Sequence, residues 1–454
     1  MSTQNTAGGV PPVSAAAHIA PVDTGGVVYA DYQSAKPVDP RVVAAMLPYF
    51  TQTFGNAASL HVIGDAATAA LEDARARVAR FIGAEPGEIV FTSGATEANN
   101  LALIGYATRN RRKGDHVIIT EAEHISILNI AKYLEKNGFR VTRAPIDLYG
   151  HVSVKKLRAR ITDDTILVSV GWASNEIGTV QPIAEIAEVL AGTGIVLHSD
   201  AVAAEGLVPI DVSTVPIGML TLSSNDIYGP RGLGALYVRK GVAVAPVLLG
   251  GGQERGLRSG SEDLAAVVGM AAAADLMQEE MPAEVERIRA IRDRLVQRVL
   301  AEIPDAHLNG APLDHPGGRL PNNAHFRFDG VEGEAMVLSL RDAGIAASTG
   351  SACSSKTLEP SHTLISCGLL HEEAHGSLEF TFGRWSRAED VARIMAVLPG
   401  VIARLRELSP LYEKRPAPER TSRHAKSAPR HAKSAARETT PIGETAPVGE
   451  KGPA

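Results

Sequence analysis

The sequence is poor in the residues on which several classes of protein depend. It has only two cysteines, Cys353 and Cys367, among 454 residues, too few for a disulfide scaffold or a four-thiolate zinc site. It also lacks an excess of positive charge, because 45 Lys and Arg face 51 Asp and Glu and the formal net charge is −6. We therefore expect a reduced, intracellular protein that does not coat nucleic acid.

Long apolar runs are missing as well. No stretch reaches the roughly 18 consecutive apolar residues that a membrane helix needs. The N-terminus, MSTQNTAGGVPPVSAAAHIAPVDTGG, has neither the basic nor the apolar region of a secretory signal. The sequence predicts a cytoplasmic protein with no membrane partner.

Both ends of the chain have compositions that cannot bury much apolar surface. Residues 1–26 are mostly Ala, Gly, Pro, Ser and Thr, and we predict a disordered leader. Residues 413–454 are rich in Pro, Ala, Lys, Arg and Glu, and RHAKSA occurs at both 423–428 and 430–435. We predict a disordered, low-complexity tail, whose basic half is either simply solvated or contacts an acidic partner.

Between the two ends, short apolar runs alternate with helix-like segments, a pattern typical of an α/β fold. Helices between the strands favour parallel crossovers. Strands are predicted at 88–92, 116–120, 165–170, 195–199, 219–222, 234–238 and 323–328, and helices at 66–81, 97–108, 183–191 and 283–303. We predict a large domain over 27–280, whose first residues contribute to a small C-terminal domain over 281–412.

The segment FTSGATEANN (91–100) follows a predicted strand and opens a predicted helix. The backbone N–H groups of Gly94, Ala95 and Thr96 would then form a cup that suits a phosphate. By itself the segment fits equally well a turn that is rich in Gly and Ser for steric reasons.

A series of motifs follows in order along the chain: LHVIGDAA, SGATEANN, EAEHISIL, SNEIGTVQPI, HSDAVAAEG, SSNDIYGPRGLGALYVR, GGGQERGLRSGSED and STGSACSS. Together this series resembles the cysteine desulfurases of iron–sulfur assembly, which are class V aminotransferases that use pyridoxal 5′-phosphate (PLP). The resemblance implies the PLP-dependent fold type I: a large domain with a mostly parallel seven-stranded sheet and a smaller α+β C-terminal domain. It also implies a homodimer and a sulfur-acceptor or iron–sulfur scaffold protein as partner.

The resemblance assigns cofactor-binding roles to matching residues. It implies that His124 stacks on the pyridine ring and moves protons, and that Asp200 pairs with the ring nitrogen so that the ring can act as an electron sink. Cys353 is implied as the thiolate that attacks the substrate sulfur and leaves as a persulfide. Asn175 is implied at the ring hydroxyl, and the phosphate and its surroundings are implied to contact Gly94, Ala95, Thr96, Ser223, Asn225 and, from the partner subunit, Ser261.

The chain departs from the family at the residue that holds the cofactor. The family has a lysine four residues into the segment written here Ser223, Ser224, Asn225, Asp226. A carboxylate cannot condense with an aldehyde, so PLP, if it binds, is not covalently held at this position. A family glutamine that bonds the ring hydroxyl is here Ala203, which offers no side-chain hydrogen bond.

A second departure concerns the substrate pocket. The family arginine that binds the substrate α-carboxylate corresponds to Glu379. We expect a charge reversal that repels a carboxylate about 4 Å away by roughly 4 kcal/mol at an effective dielectric near 20. Lys36 stands where the family has a hydroxyl, and three interpretations are open: it pairs with Glu379, it replaces the missing lysine, or it points to solvent.

These changes favour a pocket for cations and lead to three hypotheses. In the first, the protein serves sulfur mobilisation or iron–sulfur assembly, and Cys353 carries a persulfide or ligates iron or a cluster with Asp226 as co-ligand. In the second, it is a desulfurase or carbon–sulfur lyase that binds PLP non-covalently. In the third, it is a pseudoenzyme subunit that pairs with an active class V paralogue through the RSGS loop. Cys367, in the apolar run LISCGLL, is predicted to be a core residue.

Overall fold

The computed structural model describes residues 22–350, 360–410 and 412. In these residues the α-helices are α1 (Pro40–Met46), α2 (Pro48–Thr51), α3 (Val62–Phe81), α4 (Ala95–Asn100), α5 (Tyr106–Asn110), α6 (Ile125–Lys136), α7 (Val154–Arg158), α8 (Ile183–Leu190), α9 (Leu264–Glu302), α10 (Gly333–Asp342), α11 (His362–Ser366), α12 (His371–His375) and α13 (Ala388–Leu408). The strands are β1 (Val28–Tyr29), β2 (Ile89–Thr92), β3 (His116–Thr120), β4 (Arg140–Ala144), β5 (Thr165–Ser169), β6 (Val196–Asp200), β7 (Met219–Ser223), β8 (Gly234–Val238), β9 (Ala306–Leu308), β10 (Asn323–Phe328), β11 (Ile345–Ala346) and β12 (Ser377–Thr381).

A seven-stranded sheet lies at the centre of the fold, in the order β2-β8-β7-β6-β5-β3-β4. The five strands β7, β6, β5, β3 and β4 are parallel to one another, and β8 is antiparallel to both β7 and β2. Most parallel strands are joined through helices, because a chain that re-enters a sheet in the same direction must cross over it. The predicted α/β fold with a mostly parallel seven-stranded sheet is confirmed.

Six strands of this sheet coincide with predicted strands to within one residue at either end. The seventh, β4 (Arg140–Ala144), was not predicted because its sequence, RVTRA, is largely polar, and only its last residue is buried. It lies at the edge of the sheet and pairs only with β3. Edge strands commonly carry charged side chains, which hides them from a search for apolar runs.

The helix α9 is much longer than the predicted helix 283–303, because it begins at Leu264 and runs for 39 residues, or about 58 Å. It contains Pro282, which lacks an N–H for the helical ladder. The residues on either side of this proline belong to different apolar cores. Val267 packs in the core that includes α3, and Leu295 packs in the core beneath the small sheet. The predicted boundary at 280/281 therefore falls inside a continuous helix, and the division into domains stays a prediction.

The small sheet consists of β12, β10 and β9, all antiparallel. The N-terminal strand β1 pairs in parallel with β11, and Val28 and Ala30 pack in the same core as the small sheet. None of the helices in the described part of the chain combines the length and apolar character needed to cross a membrane.

Candidate active site

A cavity of about 410 Å³ opens at the carboxyl ends of the parallel strands. In open α/β sheets this edge is where ligands bind, because the loops that follow the strands converge there. The described walls come from the segments that follow β2, β3, β5, β6 and β7, together with Gln33 and Ser34 near the N-terminus. Of the residues predicted to bind a cofactor, the cavity brings together Ala95, His124, Asn175, Asp200 and, beside them, Asp226.

Asp200 ends β6, and its carboxylate is held in place by two donors. The side-chain amide of Asn99 donates to Oδ2 at 2.7 Å, and the backbone N–H of Val202 donates to Oδ1 at 3.1 Å. Asn99 itself is fully buried on α4. The carboxylate is thereby fixed before any ligand arrives.

A chain of hydrogen bonds connects Asp200 to His124. The Asn99 amide also donates to the hydroxyl of Ser126 at 3.0 Å, and this hydroxyl lies 2.8 Å from Nδ1 of His124. The backbone N–H of Ser126 donates to the same Nδ1 at 3.2 Å. Since a backbone N–H can only donate, Nδ1 is an acceptor, and neutral His124 carries its proton on Nε2.

Asn99 and Ser126 were not predicted from the sequence, although each lies inside one of its motifs. Asn99 follows Glu97 by two residues in SGATEANN, and Ser126 follows His124 by two residues in EAEHISIL. The available signal was a polar residue on the buried face of a helix that begins at the site. Buried amides and hydroxyls need hydrogen-bond partners, so such a residue indicates a polar neighbour.

Glu123 is a third acid in the wall and was also not predicted. Burial raises its pKa to about 7, and the nearby Asp200 acts in the same direction. Thr120 Oγ1 donates to its carboxyl at 2.7 Å, and the backbone N–H of Gly171 lies 3.1 Å from both of its oxygens. Glu123 thus connects the carboxyl ends of β3 and β5 through hydrogen bonds.

The turn before α4 lies very close to the backbone of the neighbouring strand β8. Gly94 has φ of +143°, a conformation that side chains other than glycine rarely adopt. A Cβ on Gly234 of the neighbouring strand β8 would lie 2.7 Å from the carbonyl carbon of Gly94. The turn can therefore lie directly on the sheet, with Ala95 at the cavity wall.

The described lining of the cavity in this single chain lacks five other residues predicted at the phosphate and its surroundings: Gly94, Thr96, Ser223, Asn225 and Ser261. Thr96 is exposed on the first turn of α4, and Ser261 is exposed in the segment before α9. Ser223 is 9% exposed, and its backbone N–H donates to Glu205 at 2.7 Å. Their predicted contacts with a cofactor stay predictions.

Asp226 lies in the cavity wall, and Lys36 lies behind it. The Lys36 ammonium is 2.5 Å from the main-chain oxygen of Asp226 and 3.6 Å from its carboxylate. The amide of Asn225 is also used here, because it accepts from the N–H of Lys36 at 3.3 Å and donates to its carbonyl at 2.9 Å. The structure contradicts two of the three interpretations of Lys36, because Lys36 pairs with Asp226, not with Glu379, and only 4% of it is exposed. The third, that Lys36 replaces the missing lysine, stays untested.

Glu379 is buried on β12 and does not line the cavity in the described part of the chain. The amide of Asn323 donates to its Oε1 at 2.8 Å. Burial, together with the nearby Glu176, raises the pKa of Glu379 well above the usual value. The expected repulsion of a substrate carboxylate by roughly 4 kcal/mol assumed a glutamate that faces the pocket, whereas the described lining of the cavity does not include Glu379.

Cys353 and its loop, residues 351–359, lie outside the described residues. Cys367 is half-buried in a small apolar cluster, and burial raises the pKa of its thiol to about 12. It is therefore protonated and a weak nucleophile, in keeping with the predicted core role. Among the described residues no three His, Cys, Asp or Glu side chains are grouped to hold a metal ion.

The sequence model of the family "Aminotransferase class-V" matches residues 28–394. A protein named cysteine desulfurase IscS 1, from Archaeoglobus fulgidus, is 56% identical over 386 residues, which are 85% of this chain and the whole of that protein. This chain belongs to the cysteine desulfurase family. A cysteine desulfurase IscS from Clostridium botulinum is 48% identical over 85% of this chain and 97% of its own length.

Solved structures of this family resemble the present one. A structure described as a NifS-like protein superimposes with a TM-score of 0.75 at 31% sequence identity, over 84% of this chain and 99% of that one. The fold is thus that of the PLP-dependent class V enzymes.

Class V cysteine desulfurases use PLP, and the cavity of this desulfurase-family chain fits part of that cofactor. The volume suits a small ligand, and the fixed Asp200 carboxylate suits a protonated ring nitrogen. The unpartnered buried Oδ1 of Asn99 shows that this region has hydrogen-bonding capacity to spare. None of the described lining residues is a lysine, so these walls fit the ring but offer no covalent tether.

Proposed function

We propose that this chain is a cysteine desulfurase-like protein of sulfur mobilisation or iron–sulfur cluster assembly whose ordinary covalent PLP chemistry has been lost or replaced. The observation that carries the proposal is the Asp226 carboxylate in the cavity wall, with the buried amine of Lys36 held behind it. Support for the pathway comes from the relatives named cysteine desulfurase IscS.

In this function Cys353 is the working residue, as a persulfide carrier or as a ligand of iron or a cluster. As a carrier, its thiolate bonds to the outer sulfur of a donor persulfide, the donor S–S bond breaks, and the donor leaves as a thiolate. The transfer needs no oxidant. As a ligand, the thiolate would be joined by Asp226.

The test is elemental. Anaerobically purified protein, supplied with ferrous iron and a persulfide donor, is expected to retain iron or sulfane sulfur. Cys353→Ala should remove it, and the matched variant Cys367→Ala should retain it because the Cys367 thiol is half-buried and protonated. Protein that acquires neither iron nor sulfur contradicts the proposal, as does equal loss in both variants.

A second candidate is favoured by the bonded chain that joins His124, Ser126, Asn99 and Asp200. These hydrogen bonds fix the Asp200 carboxylate and the His124 ring relative to each other. That arrangement suits a desulfurase or carbon–sulfur lyase with non-covalently bound PLP. When bound, PLP supplies the electron sink for carbon–sulfur cleavage. Asp200 would accept the ring N–H, and His124 would hold a proton at Nε2.

This candidate predicts that protein in excess PLP gains a visible absorption band and releases alanine from cysteine. Both signals should fall in Asp200→Asn, which keeps the size of the side chain but removes its charge. Absence of both signals in the unchanged protein contradicts this candidate and leaves the first one standing.

The proposed partner is a second copy of the chain, together with a sulfur-acceptor or scaffold protein. Two stretches expose large apolar side chains: Leu47, Phe50, Phe54, Leu60, Val62 and Ile63, and Val247, Leu248 and Leu249. Clustered exposed apolar side chains mark interaction surfaces in many proteins.

A further inference from the structure

Three ionisable side chains are buried together at the back of the cavity wall. Lys36 is 4% exposed, Glu205 is 1% exposed, and the Asp226 side chain is 14% exposed. The Lys36 ammonium bonds to the Asp226 main-chain oxygen at 2.5 Å and lies 3.6 Å from its carboxylate. Burying a charge without a partner costs several kcal/mol, so such groups persist only in compensated sets.

The contacts in this set join Lys36 to Asp226. Burial and the adjacent Asp226 raise the pKa of Glu205 well above its usual value. One oxygen of Glu205 accepts from the backbone N–H of Ser223. Among the described residues, Asp226 is the acid whose carboxylate lies within 3.6 Å of the Lys36 ammonium.

The backbone of Lys36 is held as firmly as its ammonium. Asn225 bonds to both its N–H and its carbonyl, and the ammonium lies 5.6 Å from the ring centre of Tyr228. Tyr228 is itself pinned, because its hydroxyl accepts from the backbone N–H of Arg384 at 2.9 Å. These contacts oppose a movement of Lys36 towards the cavity.

Asp226 separates two spaces. On one side is the cavity of about 410 Å³, which Lys36 does not line. On the other is a chamber of about 10 Å³, lined by both Lys36 and Asp226, which has room for one water molecule. Asn322 lines this chamber, and neither polar atom of its side-chain amide has a partner in the described protein. The chamber thus combines mostly apolar walls with a few polar groups, and Lys36 lines it.

We propose that Lys36 is a positioning residue: it fixes the carboxylate of Asp226 in the cavity wall, and the pair keeps the Lys36 amine away from carbonyl ligands in the cavity. An aldehyde or ketone that enters this cavity meets an acid, with a lysine directly behind it. The proposal concerns how the cavity selects ligands, and it holds whether or not Cys353 carries sulfur or metal.

Removal of the Asp226 side chain should expose the amine. An amine adds to an aldehyde carbon and expels water, and borohydride then reduces the C=N bond to a stable secondary amine that peptide mass spectrometry can locate. The probe is PLP itself. We expect no adduct on Lys36 in the unchanged protein, a major adduct on Lys36 in Asp226→Ala, and its loss in Asp226→Ala with Lys36→Met.

Asp226→Asn is the matched control, because it removes the charge but keeps most of the wall, and it should give at least about tenfold less adduct than Asp226→Ala. An adduct on Lys36 in the unchanged protein would make Lys36 the missing tether and overturn the proposal. So would the absence of an adduct on Lys36 in Asp226→Ala.

A thermal double-mutant cycle measures the pairing without any ligand. Lys36→Met should lower Tm by about 5 °C, because it leaves an unpaired buried carboxylate. Adding Asp226→Asn should recover at least half of that loss, since the two residues act as one pair. Lys155→Met, at an exposed position, should leave Tm unchanged. Additive losses for the pair contradict the proposal, and they do so independently of the iron and sulfur content that tests the proposed function.

Discussion

The carboxyl groups in and near the cavity differ in their partners: one has a cation beside it, and another has only hydrogen-bond donors. Asp226 has Lys36 as a neighbour, which opposes the rise of its pKa on burial. Glu123 has hydrogen-bond donors, but none of the described cations pairs with it, and its pKa rises to about 7. Burial raises the pKa of both carboxyl groups, and only at Asp226 does a described cation oppose that rise.

The raised pKa of Glu123 gives a pH dependence with a definite sign. The folded state holds a proton on Glu123 up to about pH 7, whereas the unfolded chain releases it near pH 4.5. The stabilisation from this group is therefore complete below pH 4.5 and is lost as pH rises to about 7.

Glu123→Gln should remove this dependence. The free energy of unfolding of the variant, relative to the unchanged protein, should increase by about 3 kcal/mol from pH 4.5 to pH 7.5, because 1.4 kcal/mol corresponds to one pKa unit. Urea unfolding at several pH values measures it. The exposed variant Glu372→Gln is the control, and a difference that stays flat with pH would disprove the assignment.

The elements around the site were predictable to different degrees. The apolar strands β3 and β8 coincide with predicted segments, because a strand buried on both faces is a continuous apolar run. The polar edge strand β4 and the full length of α9 escaped prediction. Their limits depend on which neighbour they pack against, and local sequence does not contain that information.

Two glycines differ in the space around them, so their substitution by alanine should have opposite effects on stability. Gly234→Ala should destabilise the protein by about 3 kcal/mol, because its Cβ would lie 2.7 Å from both the Gly94 carbonyl carbon and the Leu222 oxygen. Gly400→Ala, in the middle of α13 with open space around it, should stabilise the protein by about 0.5–1 kcal/mol. Thermal unfolding compares the two, and equal effects would contradict the close approach.

At the scale of the whole molecule, the two exposed apolar stretches are the feature that a single chain does not account for. Phe54 is 63% exposed and Leu249 is 78% exposed. An assembly that covers them gains hydrophobic free energy in proportion to the buried apolar area. The family resemblance predicted a homodimer, and this surface supports the same proposal.

The double variant Phe54→Asp with Leu249→Asp should convert the dimer to monomers at micromolar concentration, because each change would bury an unpaired charge in the interface. Sedimentation equilibrium measures the mass. Leu148→Asp, at an isolated exposed position, is the control and should stay dimeric. An unchanged protein that is monomeric, or that co-purifies only with a second class V chain, contradicts the homodimer.

The sequence alone determined the family and six of the seven strands of the central sheet, because both depend on local patterns: the buried apolar strands and a series of motifs in fixed order. It also showed that residue 226 is an acid. It could not show that Lys36 lies behind that acid, that Asn99 joins Asp200 to His124 through Ser126, or that burial raises the pKa of Glu379. Those facts depend on burial and on contacts between residues up to 190 positions apart, which exist only once the chain has folded.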